Sequence, residues 1–191
     1  LRAATLASLE AENAELRRLL GMGKRAELRT LGVEVLYDAP DPFSRRIVVD
    51  RGANAGVRLG LAVLDADGLV GQVTRIQPLV SEVTLITQKD HAVPVMVQRN
   101  GVRGVVYGLG DGYLELRHLL ADADVRADDL LVTSGLDGVF PAGIPVARVV
   151  SVDTGAGFSH IVCEPVALGE RRRYLMVVER VPAKEASAGG A

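Results

Sequence analysis

Leu6, Leu9, Asn13, Leu16 and Leu20 recur at spacings of 3, 4, 3 and 4. That is the a/d repeat that keeps one stripe of a helix facing a partner helix. Leu6, Asn13 and Leu20 fall at a, and Leu9 and Leu16 at d. Ala3, Ala4, Ala7, Ala11 and Ala14 favour helix, and no Gly or Pro intervenes before Gly21. Gly21 and Gly23 supply a stop. Asn13 at an a position would face its twin, which costs stability but fixes register and favours two strands. Glu12 at g and Arg17 at the following e can meet between the helices of a parallel pair. The pattern predicts a dimerisation helix over 1–25, about 20 residues and roughly 30 Å long. Fewer than three heptads are marginal alone, so the coil is expected to continue upstream. The alternative is an amphipathic helix docked on its own domain.

From Leu28 the pattern changes to short Val- and Ile-rich runs with turn residues between them, as in barrels and sandwiches. The runs predict strands near 30–37, 45–50, 61–65, 68–76, 82–87 and 93–98, then near 102–108, 113–118, 130–133, 145–152, 160–166 and 174–180. In 113–119, Leu114, Leu116 and His118 alternate with Glu115 and Arg117. Asp65-Ala66-Asp67-Gly68 reads as a tight hairpin turn whose glycine accepts positive φ.

The two sets of strands resemble each other. Val35-Leu36-Tyr37 is similar to Val105-Val106-Tyr107. Val57-Arg58 followed by Val63 is similar to Val125-Arg126 followed by Val132. Val70-Gly71-Gln72-Val73 and Ile76 match Val146-Ala147-Arg148-Val149 and Val152, while Ser81 and Val83 match Ser159 and Ile161. The expectation is a duplicated, mainly β chain: an N-terminal coiled-coil helix, then two small six-stranded β-barrels. Their boundaries are placed at 26–100 and 101–181, with a disordered Ala-, Ser- and Gly-rich tail over 182–191. The second half carries the longer loop, from Thr133 to Gly143.

Hydrophobic residues make up 48% of the 191, enough for a sizeable core. The formal net charge of −2 argues against nucleic acid as the main partner. Arg171-Arg172-Arg173 is read as a solvated turn before a strand. The single cysteine, Cys163, cannot form an internal disulfide. The chain begins with Leu1 rather than Met and is expected to continue upstream.

Candidate chemistry is thin. His91, His118 and His160 do not have the spacing of a metal-binding helix, and a lone cysteine makes no zinc site. His118 is read as continuing an apolar face and His91 as ending a turn. Two six-stranded barrels invite comparison with chymotrypsin-like proteases, which need a serine, a base and an orienting carboxylate. The best serine, Ser134 in Thr133-Ser134-Gly135, lacks the surrounding sequence such enzymes use. The glycines of Gly101-Val102-Arg103-Gly104 and Gly108-Leu109-Gly110 lack the following helix that would hold a phosphate. No catalytic residue, metal or cofactor is expected.

Asp50-Arg51-Gly52, Gly56-Val57, Gly60 and Val63, then Gly68-Leu69-Val70-Gly71-Gln72-Val73, resemble the rod shape-determining protein family MreC. So does the run Thr133-Ser134-Gly135-Leu136-Asp137-Gly138-Val139-Phe140-Pro141-Ala142-Gly143-Ile144-Pro145-Val146. One departure is Asp128-Asp129, where the family often has Gly-Asp. The resemblance implies two β-barrels in a non-catalytic chymotrypsin-like arrangement on the periplasmic side of the inner membrane, with a single-pass anchor upstream of Leu1. It implies a homodimer, self-association into filaments, and a scaffold of the lateral wall-elongation complex. The implied partners are a class B penicillin-binding transpeptidase, MreD and RodA, with an indirect link to MreB.

The 133–143 loop is the candidate partner-contact or barrel-closing element. Leu136 and Phe140 are its apolar candidates. Gly135, Gly138, Pro141 and Gly143 set its backbone shape, and Thr133 and Ser134 open the candidate loop. Two other functions stay open: a periplasmic adaptor of an efflux system, and an atypical serine hydrolase.

Overall fold

The computed structural model describes residues 2–19, 27–155, 158–167 and 171–181. The expected tail, 182–191, lies outside the described residues. Helix α1 covers Arg2–Leu19. The β-structure lies in a compact unit, Arg29–Glu179, to which α1 does not belong.

Twelve strands follow, each at a place where the alternation predicts one: β1 (Glu27–Asp38), β2 (Arg46–Val49), β3 (Ala62–Leu64), β4 (Leu69–Ile76), β5 (Ser81–Leu85), β6 (Ala92–Val97), β7 (Arg103–Gly108), β8 (Leu114–Arg117), β9 (Leu130–Thr133), β10 (Pro145–Gly155), β11 (Phe158–Pro165) and β12 (Tyr174–Val181). They form two closed six-stranded barrels, ordered β1-β12-β3-β4-β5-β2 and β10-β11-β8-β7-β6-β9. Closure gives each strand a neighbour on both sides within its barrel.

The assignment of strands to barrels corrects the sequence reading, which drew a boundary at residue 100. β6, expected in the first barrel, lies in the second, and β12, expected in the second, closes the first. Read around each barrel, the orders are the same: β1, β12, β3, β4, β5, β2 correspond to β7, β6, β9, β10, β11, β8. Each half therefore contributes five strands to its own barrel and its sixth to the other.

The ladders confirm the correspondence in detail. β4 and β5 shift register between Val73 and Arg75. β10 and β11 shift between Val149 and Ser151, the matching place. A bulge kept in both halves bends each hairpin alike. The ladders also move two of the sequence matches. Val73 pairs Val83 and Val149 pairs Cys163, so Val83 corresponds to Cys163, two residues beyond Ile161. Val63 pairs Gly71 and Leu131 pairs Ala147, so Val63 corresponds to Leu131 and not Val132. The first is a slip of two, which preserves the strand face; the second is a slip of one, hidden because Leu130-Leu131-Val132 is apolar on both faces.

Ile47, Val49, Val63, Val73, Val83 and Val177 fill the first barrel. Val95, Val97, Leu114, Leu131, Val149 and Ile161 fill the second. Ala62, Leu69 and Ile86 come from first-barrel segments yet join the second barrel's core cluster. β3 and β4 are thus buried on both faces: Val63 and Val73 face inward, and Ala62 and Leu69 face the neighbouring barrel. Strands in that position read as continuous apolar runs.

Gly68 sits at this seam for a reason the sequence does not reveal. Its φ is not positive. A Cβ there would stand 2.4 Å from the Pro145 carbonyl oxygen and 2.8 Å from Val166 Cγ2. Close approach, not turn geometry, selects the glycine. The turn itself is held by Asp65, whose Oδ1 accepts from the amides of Asp67 (2.8 Å) and Gly68 (3.0 Å).

Candidate functional site

The loop between β9 and β10 is built around one buried hydroxyl. Thr133 Oγ1 donates to the Pro141 carbonyl at 2.5 Å and accepts from the Ile144 amide at 2.9 Å. The Gly143 amide returns to the Thr133 carbonyl at 2.9 Å, closing the base of the loop. Gly135 has φ +72°, and a Cβ on it would meet Ala142 Cβ at 2.7 Å, so the two limbs of the loop cross there without side chain between them. Gly138 and Gly143 also take positive φ, as the turns require. Asp137 Oδ1 accepts from the Val139 amide at 3.1 Å and orders the tip.

The loop's apolar residues divide between inside and outside. Phe140 is 3% exposed and belongs to the second barrel's core; Pro141 is buried with it. Leu136 is 65% exposed. Phe140 thus closes the barrel, and Leu136 is presented at the tip beside the partly exposed Val139. Ser134 Oγ accepts from the Leu136 amide at 3.5 Å, a turn contact.

On α1, Leu6 and Leu9 are 59% and 57% exposed, and Glu12 is exposed. Asn13, Leu16 and Arg17 lie on the helix, but their side chains fall outside the described residues, and Leu20 falls outside altogether.

The histidines have other occupations than catalysis. His118 does not continue the apolar face of β8, as the alternation suggested. The strand ends at Arg117, His118 takes φ 61° and is exposed, and its Nε2 lies 2.9 Å from the Tyr107 hydroxyl. His160 Nδ1 lies 3.3 Å from Glu115, which also accepts from Arg117 at 2.9 Å. The Arg117 hydrogen bond, aided by His160, holds the Glu115 carboxyl below its ordinary value. His91 is largely buried, which lowers its pKa, and its Nε2 has no partner among the described residues. Cys163 is buried in the second core, and burial pushes its thiol up to about 12. It is a packing residue, far from the thiolate that nucleophilic chemistry requires. Among the described residues no three of His, Cys, Asp and Glu group as metal ligands, and no helix is long and apolar enough to cross a membrane.

Two features escaped the sequence reading. Phe43 is 90% exposed at the tip of the β1–β2 connection, where Asp41 Oδ1 accepts its amide at 2.9 Å. The Asp-Pro-Phe turn was visible, but exposure is not a local property. Asp128 has φ 70°, so it holds the left-handed conformation where the resemblance puts Gly.

The model of the rod shape-determining protein MreC, barrel core, matches residues 35–179. Cell shape-determining protein MreC of Escherichia coli K12 is 42% identical over 176 residues, 91% of this chain and 48% of the relative. The chain spans about half the length of this and other curated relatives it matches. The crystal structure of MreC from Pseudomonas aeruginosa aligns with a TM-score of 0.74 at 44% identity, over 79% of this chain and 99% of that one. A complex between penicillin-binding protein PBP2 and MreC from Helicobacter pylori aligns at 0.64 and 19% identity, over 81% and 100% of the two chains, a likeness of fold alone. With the family model spanning nearly all the strands of both barrels and identity above 40% over most of the chain, this polypeptide belongs to the MreC family.

Proposed function

We propose that this chain is a non-catalytic scaffold for lateral cell-wall elongation, acting on the periplasmic side of the inner membrane. The observation that carries the reading is the family match across both barrels. The relatives are named for determining cell shape, not for a reaction. The geometry is consistent with such work: two rigid closed barrels share a seam, and ordered loops project Leu136 and Phe43 to solvent. Loops on a rigid frame are where recognition residues concentrate.

In this reading α1 pairs with a second copy through Leu6, Leu9, Asn13, Leu16 and Leu20, with Glu12 and Arg17 across the seam. Two copies raise the local concentration of whatever binds the barrels. The principal partner is a class B penicillin-binding transpeptidase, by analogy with the PBP2 complex of the H. pylori relative. MreD and RodA join the same assembly, MreB is linked indirectly, and a single-pass anchor upstream of Leu1 holds the chain at the membrane. Filaments are a further mode of association.

The test is capture from a detergent extract with this chain as bait, followed by titration of the purified transpeptidase ectodomain. Saturable binding of that ectodomain is expected. Capture of outer-membrane channel proteins in place of wall synthases would refute the scaffold in favour of an efflux adaptor. Sedimentation against a chain starting at Ala26 tests the helix: two monomers at tens of micromolar would remove the dimer.

A further inference from the structure

The two halves part at the hairpin that their shared bulge bends. In the first half the β4–β5 ladder ends at Ile76 and Ser81, and only Gln77-Pro78-Leu79-Val80 lies beyond. The 3₁₀ turn Ala53–Ala55 covers that tip. The Ala53 amide donates to the Gln77 carbonyl at 2.9 Å and the Asn54 amide to the Pro78 carbonyl at 3.0 Å. In the second half the corresponding pair is Val152 and Ile161, and the ladder runs on through Asp153–His160, Thr154–Ser159 and Gly155–Phe158. The neighbouring strands do not follow it. β9 pairs β10 from Pro145 to Arg148, and β8 pairs β11 from Ile161 to Cys163. The outer part of the hairpin is therefore a two-stranded arm, with Ser151, Asp153, Thr154, Ser159 and His160 exposed. The 118–127 segment joins β8 to β9 as the covering turn joins β2 to β3. Among the described residues no backbone hydrogen bond links that segment to the arm.

The arm's two edges are unequal. Val149 turns its amide and its carbonyl away from β11, to Asp129 at 2.9 Å and Asp128 at 2.8 Å. In an antiparallel ladder that orientation recurs at every second residue. Cys163, Ile161 and Ser159 alternate along β11, so their partners Val149, Val152 and Thr154 all turn the same way. The amides and carbonyls of Val152 and Thr154 thus face the side that β9 has left, with no hydrogen-bond partner among the described residues. On the other edge Ser159 alone is so placed, because Ile161 and Cys163 lie opposite Leu116 and Leu114 of β8. An exposed row of unpaired donors and acceptors is a template for an added strand.

We propose that this β10 edge takes up an extended segment of the protein partner as a further strand, hydrogen-bonded to Val152 and Thr154 and carrying a basic side chain opposite Asp153. The inference rests on the scaffold reading and adds the place and chemistry of one contact. Charge selects the occupant. Asp153 lies between the two outward-facing residues and has no ion pair among the described residues; its cross-strand neighbour His160 turns to Glu115 at 3.3 Å. A second copy fits poorly. The two-fold antiparallel pairing that satisfies both residues sets Val152 against Thr154 and Asp153 against its twin, and like charges directly opposite are destabilising.

The experiment titrates the purified transpeptidase ectodomain against the full chain and its Thr154→Pro, Ser159→Pro and Asp153→Lys variants, and follows amide hydrogen exchange of the parent free and bound. Proline at 154 removes an outward N–H and leaves the bonds between β10 and β11 in place. Proline at 159 makes the same change on the other edge and is the control. Thr154→Pro is expected to weaken binding roughly tenfold, Asp153→Lys roughly fivefold, and Ser159→Pro less than about twofold. The Val152 and Thr154 amides should gain protection in the complex. Equal exchange of these amides in the free and bound chain overturns the strand addition while leaving the scaffold standing. So does an equal loss of affinity in the two proline variants. Parent-like binding by Asp153→Lys overturns the basic residue opposite it. No binding by the parent overturns the edge and the scaffold together. A change in sedimentation of Thr154→Pro with partner affinity intact would put a second copy on the edge and refute the proposal.

Discussion

Replacing Gly68 by Ala tests whether the two barrels are locked by direct backbone contact. The added Cβ would begin 2.4 Å from the Pro145 carbonyl oxygen, against an ordinary contact of 3.4–4 Å. Val166 Cγ2, at 2.8 Å, can rotate away, but the Pro145 carbonyl is backbone. Pro145 begins β10 and is held in register opposite Val132. Relief therefore requires the β3–β4 turn and β10 to part by about 1 Å. A gap of that size forfeits roughly a quarter to a half of each contact it opens. The contacts at risk are those that Ala62, Leu69 and Ile86 make with the second core.

An overpacked site of this kind costs about 1–3 kcal/mol. For a chain of this length that is a fall in Tm of roughly 2–12 °C. Differential scanning calorimetry of Gly68→Ala against the parent measures it. Gly32→Ala is the control: it has ordinary φ and no heavy atom within 4 Å of the new Cβ, so its Tm should not fall and should rise by roughly 1–4 °C from the lower entropy of the unfolded chain. A Gly68→Ala Tm equal to the parent's would refute the seam argument. An equal fall in both variants would show that the effect belongs to glycine replacement in general.

Asp128→Gly relieves a left-handed conformation held by a residue with a Cβ. After the entropy cost of glycine, a gain of about 0.5 kcal/mol and a Tm rise of roughly 1–2 °C are expected; a fall would refute that reading of the turn. Thr133→Val keeps the side-chain shape but strips the Pro141 carbonyl and Ile144 amide of their hydroxyl partner. Urea unfolding should show a loss of about 2 kcal/mol, and a loss under 0.5 kcal/mol would remove the hydroxyl from its role at the loop base. Acid should destabilise the chain in two stages. Burial lowers the His91 pKa from its ordinary 6.5, so below about pH 6.5 the unfolded chain takes up a proton the folded one resists, and stability falls. Hydrogen bonds from Arg99 hold the Asp129 carboxyl below its ordinary 3.8, so its contribution is full above that value and is lost as pH drops through the lowered one. Urea midpoints from pH 7.5 to 2.5 should resolve both stages, and His91→Gln should erase only the first.

What could be read from the sequence was what depends on neighbours in the chain. Alternation located twelve strands because each inward Val or Ile is two residues from the next, and the pleat makes that spacing a face. Which barrel a strand joins is settled elsewhere. β12 enters the first barrel because Val177 pairs with Val63, and β6 enters the second because Val97 pairs with Leu131. Both are inward apolar strands of similar length, and nothing within either states its partner. The loop shows the same division. The glycines of 133–143 marked its shape, since positive φ is a local demand. That Phe140 points in and Leu136 points out follows from where the second core lies. The reciprocal exchange of β6 and β12 has a mechanical consequence. Neither barrel can close without a strand from the other half, so a chain cut at residue 100 leaves the first barrel with five strands and the second with its β6 missing. The two barrels are therefore expected to fold and unfold as one, and a surface that spans their seam keeps its geometry for as long as both stand.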